Sequence, residues 1–142
     1  MVKIITKILS FSGEIDLAFP KDPVGSYKGF ITLIDCFNRF CWTMPIKNKT
    51  KPELTRQLTK LFKKSNTHMD VISSDGEFEY MRDFFTKNGM HLKTKVKGQH
   101  AMLVENAIRN IKRRLALMMR TAKSSNWKQY IQGNFDIKIL TF

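Results

Sequence analysis

The sequence predicts one α/β domain built on a mixed sheet of five strands flanked by helices. Two adjacent β-rich runs near the amino terminus have the pattern of an antiparallel hairpin. Two later short apolar runs alternate with helical segments, which is typical of parallel crossover connections. The chain has 142 residues, of which 42% are hydrophobic. That length and apolar content fit a single folded domain with its own core and argue against a disordered chain.

The first half of the chain supplies the hairpin and an amphipathic helix. Strands are predicted over 14–19, 27–36 and 39–46, with Asp35 at the junction of the last two. Thr50 and Glu53 have capping-box spacing, and Pro52 falls in the first turn that follows. A helix is therefore predicted after Thr50, and its apolar stripe is Leu54, Leu58, Leu61 and Phe62.

The second half alternates short strands with helices. Strands are predicted over 69–73 and 91–95, and helices over 79–88 and 101–123. The last helix has apolar residues at heptad-like spacing, namely Val104, Ile108, Ile111, Leu115 and Met118. The resulting order of three strands, helix, strand, helix, strand, helix is that of an RNase H-like domain.

The charge of the chain points to a polyanionic partner. Lys and Arg number 25 against 12 acidic residues, which gives a formal net charge of +13. Nucleic acid is the first candidate, and binding of that kind weakens steeply with added salt because it releases condensed counterions. A ribosomal-type structural protein and a simply basic soluble domain remain alternatives.

The cysteines and histidines do not predict a structural zinc site. Cys36 and Cys41 lie in apolar, strand-like stretches and are interpreted as small buried hydrophobes rather than a disulfide. The three histidines, at 68, 91 and 100, are scattered and lack zinc-ligand spacing. No apolar run is long enough to span a bilayer, so no membrane partner is expected, and neither is secretion.

Three acidic residues occupy positions that suggest metal chemistry. Asp16 lies within the first strand, Asp75 directly follows an apolar strand, and Glu105 opens the long helix. Carboxylates that converge can hold Mg²⁺ or a metal pair, which stabilises an in-line phosphoryl transfer. Each residue also has a simpler explanation, because Asp after a strand often forms a turn and Glu in a first helical turn often offsets the helix dipole.

Cations on the long helix extend this hypothesis to DNA. Arg109 and Lys112 share a helical face with Glu105, where they could grip phosphates or form a solvated i,i+4 ion pair. Arg113 belongs to the same basic helix. The other cations of this helix either form a solvated surface or attract DNA nonspecifically. Trp127 could stack on a base, although core packing is the simpler expectation.

Three blocks of the sequence resemble the retroviral-type integrase core, most closely the integrases of Maverick/Polinton transposons and of related large DNA viruses or virophages. The first is YKGFITLID with FNRF, Trp42 and PIKNKT, over 27–50. The second is Ser74-Asp75-Gly76 with Glu79-Tyr80, similar to an Asp-x-Gly-x-Glu-Phe motif. The third is AMLVEN at 101–106 with Arg109 and Lys112, similar to the helix that carries the last catalytic acid.

The resemblance implies an RNase H-like fold, a two-ion Mg²⁺ or Mn²⁺ site, 3′-end processing and strand transfer. It assigns the catalytic and metal-binding roles to Asp16, Asp75 and Glu105, and it makes Asp35 a turn residue. DNA contacts are expected from Arg109 and Lys112, together with Arg113, Lys97 and Gln99. The implied partners are double-stranded DNA and further copies of the chain, and the implied location is the host nucleus or a virion.

The chain departs from the family pattern in ways that keep two alternatives open. Gly76 follows Asp75 directly, one place earlier than in the family, and the sequence predicts an extension over 1–13, a core over 14–130 and a short tail over 131–142. A tail this short is also what a truncated core would leave. A DNA-binding remnant without activity and an RNase H-like nuclease that does not join strands therefore stand beside an active integrase.

Overall fold

A computed structural model describes residues 12–66, 68–95, 102–134 and 137–138. The strands are β1 (Ser12–Ala18), β2 (Gly29–Asp35), β3 (Phe40–Ile46), β4 (Val71–Ser74), β5 (His91–Thr94) and β6 (Ile137–Lys138). The helices are α1 (Lys51–Ser65), a 3₁₀ helix (Gly76–Met81), α2 (Arg82–Lys87), α3 (Met102–Ala122) and α4 (Trp127–Asn134). The predicted α/β class and five-stranded mixed sheet are confirmed, and the two-residue β6 adds a sixth strand beside β3.

The sheet places β1 in an interior position. The strand order is β5-β4-β1-β2-β3-β6, with β1 antiparallel to β2 and parallel to β4. The hairpin of β2 and β3 is antiparallel as predicted, and β4 and β5 form the parallel part of the sheet. The mixed sheet arises because a short turn joins β2 to β3 whereas helices carry the chain back between the parallel strands.

The hairpin turn and the start of α1 form as their sequences predict. Asp35 Oδ1 accepts hydrogen bonds from the backbone N–H groups of Phe37 at 2.8 Å and Asn38 at 3.2 Å, which makes it a turn former. Thr50 is the N-cap of α1 and accepts from the Glu53 N–H at 3.4 Å. The Glu53 carboxylate accepts from the Lys47 N–H at 2.7 Å, so both residues tie down the entry of the helix.

The segment after β4 differs from its prediction. A helix was predicted to begin at Glu79, but the helical conformation begins at Gly76 as a 3₁₀ helix and becomes α-helical at Arg82. The reason is local, because Asp75 Oδ1 accepts a hydrogen bond from the Glu77 N–H at 3.0 Å and caps the turn. The helical conformation therefore begins three residues earlier than predicted.

Two apolar cores lie on opposite faces of the sheet. Ile15 and Leu17 of β1 pack with α1, the 3₁₀ helix and α2 on one face, while Ala18 packs with α3 and α4 on the other. The predicted stripes are buried or partly buried, including Leu54, Leu58 and Leu61 of α1 and Val104, Ile108, Ile111 and Leu115 of α3. Alternation along β1 therefore turns Glu14 and Asp16 toward the α3 face.

Cys36 and Cys41 are both free, and burial raises the pKa of the Cys36 thiol to about 11. Within the described residues, no helix is long and apolar enough to cross a membrane.

Candidate active site

The parallel pairing of β1 and β4 brings two of the predicted acids side by side. Glu14 of β1 is the register partner of Ser73 of β4. Asp16 lies two residues further along β1, and Asp75 directly follows the last residue of β4, so strands that run in the same direction bring both carboxylates to the same end of the sheet. Their separation of 59 positions in the sequence (75 − 16) is closed by the register of a single strand pair.

Asp16 is half-buried, and its carboxyl group is destabilised in the charged form. Burial raises its pKa from 3.8 to about 6, although a hydrogen bond from the Leu17 N–H to Asp16 Oδ1 at 2.8 Å acts in the opposite direction. The negative charges of Asp75, Glu77 and Glu105 raise the pKa further. A carboxylate held beside other carboxylates in this way gains stability from a bound cation.

The group of possible metal ligands contains one residue that the sequence did not single out. Among the described residues, ligand oxygens of Asp16, Asp75 and Glu77 all lie within 4.8 Å of one another. Glu77 joins this group because the cap at Asp75 folds the 3₁₀ helix back toward the end of β4. The sequence signal that could have identified Glu77 is its position two residues after Asp75, which follows the end of a strand.

Glu105 lies in the first turn of α3, beside this group rather than within it. The buried Glu14 carboxylate accepts a hydrogen bond from the Val104 N–H at 2.9 Å, which fixes the start of α3 against β1. Glu105 is the next residue, is half-buried, and its charge contributes to the raised pKa of Asp16. Asp16 and Asp75 therefore lie together in one group of ligand oxygens, whereas Glu105 acts on Asp16 through its charge without belonging to that group.

A lysine adjoins the acidic group. Lys49, in the loop between β3 and α1, donates from Nζ to Glu77 Oε1 at 2.6 Å. The Nζ atom also lies 4.8 Å from the centroid of the Phe19 ring. In the sequence, Lys49 stands out only as part of the motif PIKNKT, because its partner Glu77 is 28 positions away.

The predicted DNA-contact residues divide into those that are exposed and those that lie outside the described part of the chain. Arg109, Lys112 and Arg113 are exposed on α3. Lys97 and Gln99 lie outside the described residues. Glu79 does not join the acidic group but binds Arg82 through two hydrogen bonds of 2.7 Å, and Trp127 is buried with its Nε1 donating to the Asp22 carbonyl at 2.7 Å. Core packing is therefore the observed role of Trp127.

The donor chemistry of the acidic group fits a hard divalent cation. Its members offer only carboxylate oxygens, the ligands that Mg²⁺ and Mn²⁺ prefer. Octahedral Mg²⁺ binds oxygens at about 2.1 Å, so its opposite ligands are about 4.2 Å apart. Oxygens that already lie within 4.8 Å of one another need only small side-chain movements to reach that arrangement.

Comparison with solved structures identifies the fold. The chain superposes on the catalytic core domain of BIV integrase with a TM-score of 0.66 and 14% identity, covering 87% of this chain and 79% of that one. It superposes on the HTLV-2 integrase catalytic core domain, solved in complex with magnesium in a trimeric form, with a TM-score of 0.68 and 16% identity, covering 87% and 80%. No protein-family model matches the sequence, and a comparison with curated proteins gives no match. The chain thus has the fold of retroviral integrase catalytic cores.

Proposed function

We propose that this chain is a metal-dependent DNA-joining enzyme of the integrase or transposase type. The observation that carries the proposal is the convergence of Asp16 and Asp75 at one edge of a sheet that has the integrase-core fold. The net charge of +13 supports a nucleic-acid substrate, because cationic side chains must offset phosphate charge near a cluster of acids.

Asp16, Asp75 and Glu105 are the proposed metal-binding and catalytic acids, with Glu77 as a further carboxylate beside them. Divalent ions bound there supply the charge that activates the attacking oxygen and neutralises the departing one. The chain itself holds these carboxylates in position. β1 and β4 fix the two aspartates, and the Glu14–Val104 hydrogen bond fixes the start of the helix that carries Glu105.

The proposed reaction has two steps: end processing hydrolyses one phosphodiester bond, and joining exchanges one phosphodiester bond for another. In end processing, a water oxygen bonds to phosphorus and the strand's 3′-oxygen leaves as a hydroxyl. In joining, that 3′-hydroxyl oxygen attacks a phosphorus of the target, the target's own P–O3′ bond breaks, and the proton of the attacking hydroxyl passes to solvent. No oxidant or nucleotide cofactor is needed, which agrees with a site made only of carboxylates.

The DNA is proposed to lie along the amino-terminal half of α3. Arg109, Lys112 and Arg113 are exposed there, four, seven and eight residues after Glu105. Lys97 and Gln99, in the segment that precedes α3, complete the proposed contacts. Phosphate contacts of this type orient the duplex without reading its sequence. We propose the ends of a mobile or viral DNA element as the substrate and a homo-oligomer as the working form.

A joining assay tests this function. The chain is incubated with a short labelled duplex that has a recessed 3′-hydroxyl and with a second duplex as target, in Mg²⁺, in Mn²⁺ or in EDTA. The variants are Asp16→Asn, Asp75→Asn, Glu105→Gln and Glu77→Gln. The matched control is Asp83→Asn, which neutralises an exposed carboxylate on α2.

The expected result is metal-dependent joined product that Asp83→Asn retains. Asp16→Asn and Asp75→Asn should lose product by at least about a hundredfold, because each removes a charged ligand of the site. Nicked strands without joined product would indicate the nuclease alternative, and DNA binding without either product would indicate an inactive remnant. Joining that persists in both aspartate variants would reject the proposed site.

A further inference from the structure

We propose that Lys49 is a substrate-positioning residue that pairs with Glu77 while the acidic group holds no divalent ion and turns to a DNA phosphate once an ion is bound. This inference rests on the proposed function, because it requires both a metal and a DNA strand at the site. It gives Lys49 a role that depends on metal loading, which distinguishes it from the other exposed lysines of this basic chain.

The Lys49 side chain contacts both the acidic group and solvent. Its Nζ lies 2.6 Å from Glu77 Oε1, and Glu77 in turn offers an oxygen within 4.8 Å of the ligand oxygens of Asp16 and Asp75. The Lys49 side chain is 52% exposed and that of Glu77 is 27% exposed. The pair therefore lies at the opening of the site, where an incoming phosphate would arrive.

The backbone of Lys49 is anchored while its side chain is free to turn. Its carbonyl accepts a hydrogen bond from the Tyr80 hydroxyl, and Tyr80 belongs to the same 3₁₀ helix as Glu77. Loop and 3₁₀ helix are thus held together independently of the ion pair. Because the Lys side chain has four methylene groups, its ammonium can move several ångströms without any movement of the backbone.

Metal binding provides the force that separates the pair. A divalent cation among the carboxylates brings two positive charges close to the Lys49 ammonium and competes with it for the Glu77 oxygens. The released side chain remains a cation, because a lysine ammonium in contact with solvent is charged at neutral pH.

A second partner keeps the released ammonium near the site. The Phe19 ring lies 4.8 Å from Nζ, and this ring packs over Gly29, where an added Cβ would lie 2.6 Å from Phe19 Cδ1. An ammonium over an aromatic face is attracted by the ring's electrons, and its positive charge is not neutralised by this contact. Lys49 therefore remains beside the acidic group and available to a phosphate.

The molecule contains a matched control pair. Lys51 Nζ lies 3.9 Å from Asp83 Oδ2, and the Lys51 side chain is 53% exposed, almost the same as that of Lys49. Lys51 begins α1, two residues after Lys49, whereas Asp83 belongs to α2 and not to the acidic group. Loss of either lysine removes one positive charge, so the two variants share the same nonspecific loss of DNA attraction.

The experiment measures the metal-dependent part of DNA affinity. Fluorescence anisotropy gives the Kd for a duplex with 3′-dideoxy ends, which cannot be joined, in EDTA and in Mg²⁺ at equal ionic strength. The variants are Lys49→Met, Lys49→Arg and Lys51→Met, followed by Glu77→Gln and Asp83→Asn. The quantity compared is the ratio of Kd in EDTA to Kd in Mg²⁺.

In EDTA, we expect Lys49→Met and Lys51→Met to bind alike, because the Lys49 charge is then committed to Glu77. In Mg²⁺, the ratio for Lys49→Met should be roughly two- to fivefold lower than for Lys51→Met, the range of one exposed charge contact. Lys49→Arg should keep the ratio. In EDTA, Glu77→Gln should bind DNA more tightly than Asp83→Asn, because it releases Lys49 from its ion pair. The double variant Lys49→Met/Glu77→Gln should lose this gain in affinity.

Equal ratios for Lys49→Met and Lys51→Met would overturn the inference. A wild-type ratio no higher than that of Lys49→Met would overturn it as well. Failure of the function itself gives a different result: the wild type would form no metal-dependent joined product, or joining would persist in Asp16→Asn and Asp75→Asn. If those two variants lose joining while the two lysine variants give equal ratios, the role of Lys49 alone is rejected.

Discussion

The buried carboxylate of Glu14 accepts a hydrogen bond from the backbone N–H of Val104, over a distance of 2.9 Å. This contact joins β1 to the first turn of α3 across 90 positions of the sequence. It also satisfies an N–H group that has no partner within the helix. Because Asp16 lies two residues after Glu14 and Glu105 one residue after Val104, the contact sets the distance between two of the proposed catalytic acids.

Removal of the Glu14 carboxylate should loosen this junction. We expect Glu14→Ala to lower the free energy of unfolding by about 1–3 kcal/mol, since it leaves the Val104 N–H unpaired in a buried place. Urea denaturation measures the loss. Glu14→Gln keeps an acceptor oxygen and should lose less, and joining activity should fall in the same order. An unchanged denaturation midpoint for Glu14→Ala would show that the contact does not hold α3.

The stability of the metal-free protein should depend on the charge of Asp16. Its pKa is about 6 in the folded protein against 3.8 ordinarily, so the folded state binds the proton more tightly. The ionised carboxylate therefore costs stability, fully above pH 6 and not at all well below 3.8. We expect Asp16→Asn to melt at a higher temperature than the wild type at pH 7.5 in EDTA, with a difference that shrinks as the pH falls toward 4.

The measurement is a series of thermal melts in EDTA across that pH range, with Asp83→Asn as the control that should leave the midpoint nearly unchanged. A lower midpoint for Asp16→Asn at pH 7.5 would contradict the prediction, because it would mean that the charged carboxylate stabilises the fold without metal.

Most of the fold follows from local signals in the sequence. The Asp35 turn, the Thr50 cap and the apolar stripes of α1 and α3 each act over a few residues, and each forms as predicted. The start of the helix after β4 was predicted at Glu79 and lies at Gly76. That difference depends on one capping bond at Asp75, since a 3₁₀ turn lacks the periodicity of an α-helix.

The site was less accessible to sequence reasoning because its contacts are distant along the chain. The proximity of Asp16 and Asp75 depends on the register of β1 with β4, which no local pattern encodes. Glu77 and Lys49 became part of the site only once the 3₁₀ helix and the β3–α1 loop were placed beside each other. The resemblance to integrases supplied Asp16, Asp75 and Glu105, whereas spacing alone left each with a simpler structural explanation.

Two threonines that face each other across the β2–β3 pair should respond oppositely to the same substitution. Thr32 and Thr43 are register partners and both are fully buried. Thr43 Oγ1 donates to the Ile131 carbonyl at 3.2 Å, whereas Thr32 Oγ1 has no hydrogen-bond partner among the described residues. Thr32→Val should stabilise the protein and Thr43→Val should destabilise it, each by about 1 kcal/mol. Urea denaturation compares them, and shifts of the same sign would contradict this account.

Arg109 should contribute to the salt dependence of DNA binding. It is exposed on α3, four residues after Glu105. Each phosphate contact releases counterions, so the slope of log K against log salt should become shallower by about 0.9 in Arg109→Gln. The control is Arg120→Gln, an exposed arginine in the last turn of the same helix, which should keep the wild-type slope. Equal slopes for the two variants would remove Arg109 from the proposed DNA path.

The most direct test of the central claim is the location of a bound metal. Crystals soaked in Mn²⁺ give an anomalous difference signal that marks the ion independently of any activity. We predict a peak coordinated by the carboxylates of Asp16 and Asp75, beside Glu77 and Glu105, and its loss in Asp75→Asn. Mn²⁺ bound elsewhere, with no peak between those two aspartates, would contradict the account.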